Sequence, residues 1–269
     1  MTARVAAALL LAAAALRAAV PAEAGLADRV GATFEQMADG FVLAFQPVEG
    51  LVVGLDGDTL YLDVGGSRGA QAGQEFTVFR KGQTFQHPLS GKPLGRYEDV
   101  LGYAQIRRVE PRFSEARFVP LDGQPRPRPE DGVRITRGRV KVAITPVLDL
   151  TPGKTSDLRR VPFLLGTALE RSKRFQVVDP IAVGDVFAAG GARVEEVLAL
   201  PDRAMRISRR FEVAGWIVPV LLERSGVIYL DVTWISAVTG TALFSRRQPL
   251  VPAATVEEQR FPWEPGVED

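Results

Sequence analysis

The hydrophobic rhythm of this chain changes near Arg137-Gly138, and that change limits the folds open to it more than any other feature. Before it, apolar residues alternate with polar ones: Leu51, Val53 and Leu55, then Leu60, Leu62 and Val64, with Asp56-Gly57-Asp58-Thr59 between the two runs. A period of two marks strands with one buried face, and an Asp-Gly pair supplies the positive φ that a tight hairpin turn demands. A Gly-rich segment from Gly65 to Gly73 follows, then a strand about Phe76 and Val78, turn residues from His87 to Gly95, strands over 103–109 and 115–119, and a last one at Val133-Arg134-Ile135. Short strands punctuated every ~10 residues predict a small β-barrel or sandwich, placed at 46–137.

After the change, Lys141 to Val147 carries apolar residues on both faces, as a strand buried within a sheet does. Leu158, Val161, Leu165, Ala168 and Leu169 then fall at helical spacing, and Phe175 to Pro180 is a short strand that the proline ends. Helical pieces cover 181–189 and 194–207, with Pro201 separating two helices, and three strands follow at 213–222, 227–235 and 241–247. The order βαβααβββ predicts a mixed sheet carrying helices. The fold class is therefore α+β or mixed: a small β-domain followed by an α/β domain at 138–251.

The ends of the chain read differently. Residues 1–24 have a basic start ending at Arg4, an apolar run from Val5 to Leu16, and the small-residue site Ala22-Glu23-Ala24, the pattern of a cleavable signal peptide. The apolar run is too short to cross a bilayer at roughly 20 residues per helix. Residues 25–45 place Leu26, Val30, Phe34, Met37, Phe41 and Phe45 on one helical stripe, expected to pack on its own domain rather than on a partner or membrane. Residues 252–269 are polar, acidic and proline-bearing, the composition of a flexible tail, with Phe261 and Trp263 as its only large aromatic groups.

Charge and composition remove whole function classes. Taking Arg4, Arg17 and Glu23 from 33 basic and 32 acidic residues leaves 31 of each, so the mature chain is neutral and has no global field for nucleic acid. The sequence contains no cysteine, which argues against disulfides, zinc sites and an acylated amino-terminal cysteine. The expected location is thus the periplasm, with outer-membrane association open to it, and the chain is expected not to be a lipoprotein. His87 is the single histidine; beside Pro88 among turn residues it reads as a loop brace rather than a general base.

Other motifs fail on spacing. Gly153-Lys154-Thr155 lies between a strand and a helix like the end of a phosphate loop, but the glycine needed five positions earlier is Leu148. The Gly65 to Gly73 segment is flanked by alternating strands, not the βαβ unit of a dinucleotide fold. Asp56, Asp58 and Asp63 lack the spacing of a calcium loop and read as turn carboxylates. No catalytic, cofactor or metal residue is assigned. The local electrostatic feature is 107–141, with ten basic and five acidic residues. Arg107, Arg108 and Arg112 are its partner-binding candidates, set against the plainer reading of a solvated surface.

Two resemblances rest on the order of short motifs. The second half, from KVAITPVLDL through LLGTALERSKRF and FQVVDP to YLDVTWISAVTGTAL, resembles the amino-terminal domain of the TolB family and the middle domain of the flagellar assembly protein T family. The piece carrying most of that likeness is Leu169 to Pro180. The first half, from VVGLDGDTLYLDVGG to YAQIRRVEPRFSEARFV, is similar to the carboxy-terminal β-domain of the same flagellar family. Here His87-Pro88 and Ser90-Gly91 replace that family's usual Asp-Pro and Thr-Gly, and the two domains come in the reverse order. The resemblance implies a non-enzymatic envelope assembly or scaffold protein working through protein-protein contacts, with flagellar ring assembly as its specific case. Its implied partners are envelope or flagellar basal-body proteins, with outer-membrane or cell-wall association and oligomerisation left open. A ligand-binding or sensory module with a cleft beside the α/β sheet is the alternative.

Overall fold

The computed structural model describes residues 25–153 and 156–253. The signal-peptide reading, Lys154-Thr155 and the tail from residue 254 lie outside the described residues. The fold is mixed α+β, as expected, built on two separate sheets.

Helix α1, Leu26–Ala44, comes first. Six strands then close a barrel in the order β1-β2-β5-β4-β3-β6, every neighbour antiparallel: β1 Glu49–Asp56, β2 Thr59–Leu62, β3 Glu75–Gln86, β4 Pro93–Val109, β5 Ser114–Pro120 and β6 Gly132–Arg134. The alternating positions do what a period of two requires. Val52, Leu60, Leu62, Phe76, Val78, Leu101, Ala104, Ile106 and Val133 fill the barrel interior.

The second sheet holds β7 Val140–Ile144, β9 Phe175–Val177, β10 Gly215–Arg224, β11 Val227–Ser236 and β12 Ala242–Pro249 in the order β12-β11-β10-β7-β9. β9, β7 and β10 run parallel, while β10, β11 and β12 form an antiparallel meander. The two-residue β8, Leu148–Asp149, pairs with the far end of β10. Helices α2 Val161–Arg171, α3 Pro180–Ala188, α4 Val194–Ala199 and α5 Pro201–Phe211 connect the parallel strands. Pro201 does start a new helix, since it lacks the N–H that would continue the preceding one.

Both faces of this sheet are covered. Trp216 and Val218 of β10 meet α3, α4 and α5 through Val183, Val197 and Ile207. Ile217 and Leu221 face the other way, into a core shared with α2 and α1. Helix α1 therefore packs on the α/β sheet, with Val30, Phe34 and Phe41 fully buried there. The barrel is inserted between α1 and the rest of the α/β layer it covers.

Candidate functional site

The parallel strands create the site. β7 connects through α2 to β9 on one side, and β9 connects through α3 to α5 to β10 on the other. Connections that part in this way leave a crevice at the carboxyl ends of the strands. Here the crevice is widened because β7 stops at Ile144: Thr145 still donates its N–H to Ile217, but Pro146 has none to give, and the chain rejoins β10 only at β8.

The result is a cleft of about 590 Å³ lined by Pro146 and Val147 after β7, Leu158, Pro162 and Phe163 at the start of α2, and Pro180, Ile181 and Phe187 of α3. Its walls start where they do for local reasons. The Asp179 carboxylate accepts the Ile181 N–H at 2.9 Å and caps α3, with Pro180 set in the first turn. Pro162 occupies the matching place in α2. Three prolines on three segments thus border one crevice, and Ile181 is left 59% exposed.

The polar groups at the rim are engaged locally. Asp149 accepts from Thr151 N–H at 3.0 Å and its hydroxyl at 2.6 Å. Arg159 grips Asp157 at 2.6 Å, which holds that carboxyl down to about 2. Asp185 completes the charged edge. An apolar trough with a charged rim suits an apolar side chain or a hydrophobic small molecule.

A second cleft of about 610 Å³ lies between barrel and sheet, lined among others by Glu75, Tyr103, Arg209 and Glu212. At this junction Glu75 Oε2 accepts from Gln105 Nε2 and from Ser236 Oγ, each at 2.8 Å, and Gln105 Nε2 also donates to Thr239 Oγ1 at 3.0 Å. Burial raises the Glu75 pKa against the opposing pull of these bonds, and burial with the Glu75 charge raises that of Tyr103. Arg174, 8% exposed, donates to the carbonyls of Phe45, Gly138 and Thr136. Burial draws its pKa down.

The residues singled out from sequence are dispersed. Arg107 and Arg108 are exposed on β4 and Arg112 in the following turn. Arg108 is shared between Glu110 at 2.7 Å and Glu115 at 3.8 Å. Arg126, Arg134, Arg137 and Arg139 likewise face Asp58, Glu98, Glu49 and Glu170. These five arginines are thereby divided among separate acidic partners, while Arg107 and Arg112 form no ion pair among the described residues. His87 Nδ1 accepts from the N–H groups of Leu89 and Ser90, both at 3.2 Å, the work of a turn brace. In the Gly-rich segment, a Cβ on Gly73 (φ +84°) would stand 2.5 Å from the Leu243 carbonyl oxygen. That glycine serves close approach between the two sheets.

Sequence reading missed the cleft's lining, because its walls come from three segments that no short motif spans. Of the three prolines only Pro180 reads as a boundary in the sequence, and Pro146 falls inside a strand expected to run to Val147.

No family model matches the chain, and no curated protein matches it. Among solved structures, the LpoB C-terminal domain from Salmonella enterica is similar at 15% identity and a TM-score of 0.35, covering 43% of this chain and 84% of that one. The same domain from Escherichia coli gives 15% identity, a TM-score of 0.35, and 43% and 85% coverage. Lipoprotein GNA1162 from Neisseria meningitidis gives 15%, 0.32, and 41% and 79%. Because a neighbour is described as a lipoprotein, the localisation read from sequence, periplasmic and not a lipoprotein, is corrected and withdrawn. That reading leaned on the absence of an acyl-accepting cysteine from these 269 residues, which is silent on every other means of attachment.

Proposed function

We propose that the chain is a non-enzymatic assembly or scaffold protein of the cell envelope, acting by protein-protein contact, and that the crevice at the end of β7 receives an apolar segment of its partner. The carrying observation is the cleft itself: a proline- and phenylalanine-walled trough with a charged rim. Such grooves suit extended, proline-bearing or aliphatic segments, since aromatic and proline surfaces stack on preformed chains at small entropic cost. The motif resemblance supports envelope assembly, with flagellar ring construction as the specific machine proposed and basal-body proteins as the partners sought.

A photo-crosslinking residue at Ile181, in tagged protein expressed in its native host, tests this. Adducts with an envelope protein from position 181, absent from a probe at exposed Val53 on barrel strand β1, are expected. Adding Gly184→Arg, a second cleft position where a Cβ would meet nothing within 4 Å, should abolish them. Equal labelling at both positions would sink the reading.

The volume of about 590 Å³ also lies within the range of small-molecule sites, which favours a ligand-binding module as the second reading. A compound that raises the melting temperature of the parent but not of Ile181→Arg would support it.

A further inference from the structure

The β3–β4 hairpin continues well past the barrel. β3 pairs with β6 only at residues 77–79, and β4 pairs with β5 only from Gly102 onward, so residues 80–99 pair only with each other. At ~3.3 Å per residue the arm reaches on the order of 20 Å beyond the barrel wall. Its base is fixed. Arg80 forks onto Asp131, Nε to Oδ1 at 2.8 Å and Nη2 to Oδ2 at 2.7 Å, and Arg134 pairs with Glu98 at 2.7 Å.

The far end carries large apolar groups that nothing in the described residues covers. Leu89 is 93% exposed, Leu94 57% and Tyr97 63%, and Phe85 lies against Tyr97 with ring centroids 5.0 Å apart. The turn that presents Leu89 is braced by His87. From residue 81 to residue 97 the sequence contains Lys81, Lys92 and Arg96 and no carboxylate. None of these three cations forms an ion pair among the described residues.

The arm is poorly suited to adding a strand from another protein. Its ladder is broken by irregularities between Lys81 and Thr84 and again between Phe85 and Gln86, and β4 begins at Pro93, which has no N–H. Bulges and proline on an edge are devices that discourage pairing. What remains is side-chain chemistry at the tip: leucines and aromatic rings ringed by unpaired cations. Interfacial anchors combine these groups, the apolar ones entering the acyl boundary while lysine and arginine reach headgroup phosphates.

We infer that the tip of the β3–β4 arm docks on an anionic lipid bilayer, inserting Leu89 and Leu94 with Lys92 and Arg96 among the headgroups. This goes beyond the scaffold reading and uses a different surface from the cleft.

The test is co-sedimentation of the full chain with phosphatidylcholine vesicles containing about one third phosphatidylglycerol, against neutral phosphatidylcholine vesicles. Binding at least about tenfold stronger to the anionic vesicles, and weakened about as much when salt is raised to about 0.5 M, is expected. Lys92→Glu with Arg96→Glu should abolish the preference, and Leu89→Ser with Leu94→Ser should lower binding to both vesicle types, with melting temperatures unchanged because these side chains are solvated. Leu89→Trp should gain a blue-shifted emission on adding anionic vesicles that the parent lacks. Equal binding to both vesicle types, or tip variants that bind like the parent, would overturn the inference. So would absence of vesicle binding together with loss of protein crosslinks in the tip variants, which would make the arm a protein contact instead.

Discussion

Arg174 is the residue on which the joint between the two sheets depends most directly. Its guanidinium bonds three backbone carbonyls, one where the chain leaves α1 and two where it returns from the barrel. Arg174→Met keeps most of the volume but strands those acceptors, so a loss of about 3 kcal/mol is expected from urea denaturation, hydrogen bonds to a charged donor being worth ~1.5–3 kcal/mol each. Glu75 acts in the opposite sense. Its carboxyl is desolvated in the folded protein and so binds its proton at higher pH than it does unfolded. The native state then holds more protons than the unfolded one, and this group's contribution falls as pH rises from the ordinary glutamate value of 4.5 through the raised one. Glu75→Gln keeps an acceptor for Ser236 and Gln105 and removes that slope. The variant should equal the parent near pH 4 and exceed it in urea midpoint at pH 7; a parent stability that climbs over this interval relative to the variant would refute the argument.

At the scale of elements, the arm and the α3 cap show what periodicity can and cannot reveal. β7, α2, β9, the break at Pro201 and the β10–β12 meander follow from apolar spacing, because each packs against a core that selects its register. The run Leu169 to Pro180 was conspicuous for good physical reasons. Ser172 Oγ accepts from Arg174 N–H at 3.1 Å, Phe175 is fully buried and Asp179 caps α3. The outer arm was read as turns over 87–95, because a two-stranded ribbon with both faces in solvent needs no alternation and Lys81 to Gln86 shows none. Nor could spacing show that Glu75 meets Ser236, 161 positions away. The arm's stiffness rests on Asp131, 4% exposed and bonded by Arg80 and by Arg128 N–H at 2.8 Å. Asp131→Asn should cost about 2–3 kcal/mol and should speed trypsin cleavage after Lys81 and Arg96, read by mass spectrometry.

For the whole molecule the decisive fact is that α1 belongs to the α/β core. Val30, Phe34, Met37 and Phe41 are buried there, which at ~2 kcal/mol per large apolar side chain is on the order of 8 kcal/mol, an upper figure. A fragment of residues 138–253, lacking α1, should therefore be expanded or aggregated by size-exclusion chromatography and circular dichroism. Residues 46–137, whose barrel interior is closed by its own strands, should give a cooperative melt alone.

The barrel's first and last strands are neighbours, with Glu49 opposite Arg134 and Leu51 opposite Gly132, and one guanidinium touches the backbone on both sides of the insertion. To the α/β layer, then, some ninety residues amount to a loop whose two stems stand side by side, the geometry in which one module can be spliced out of a host and another spliced in. Replacing residues 47–137 by a few Gly-Ser residues should leave a folded α1-plus-sheet protein that keeps its crevice and loses its arm. Seen in this way the chain is a cartridge and a holder: the arm can be exchanged without disturbing the crevice.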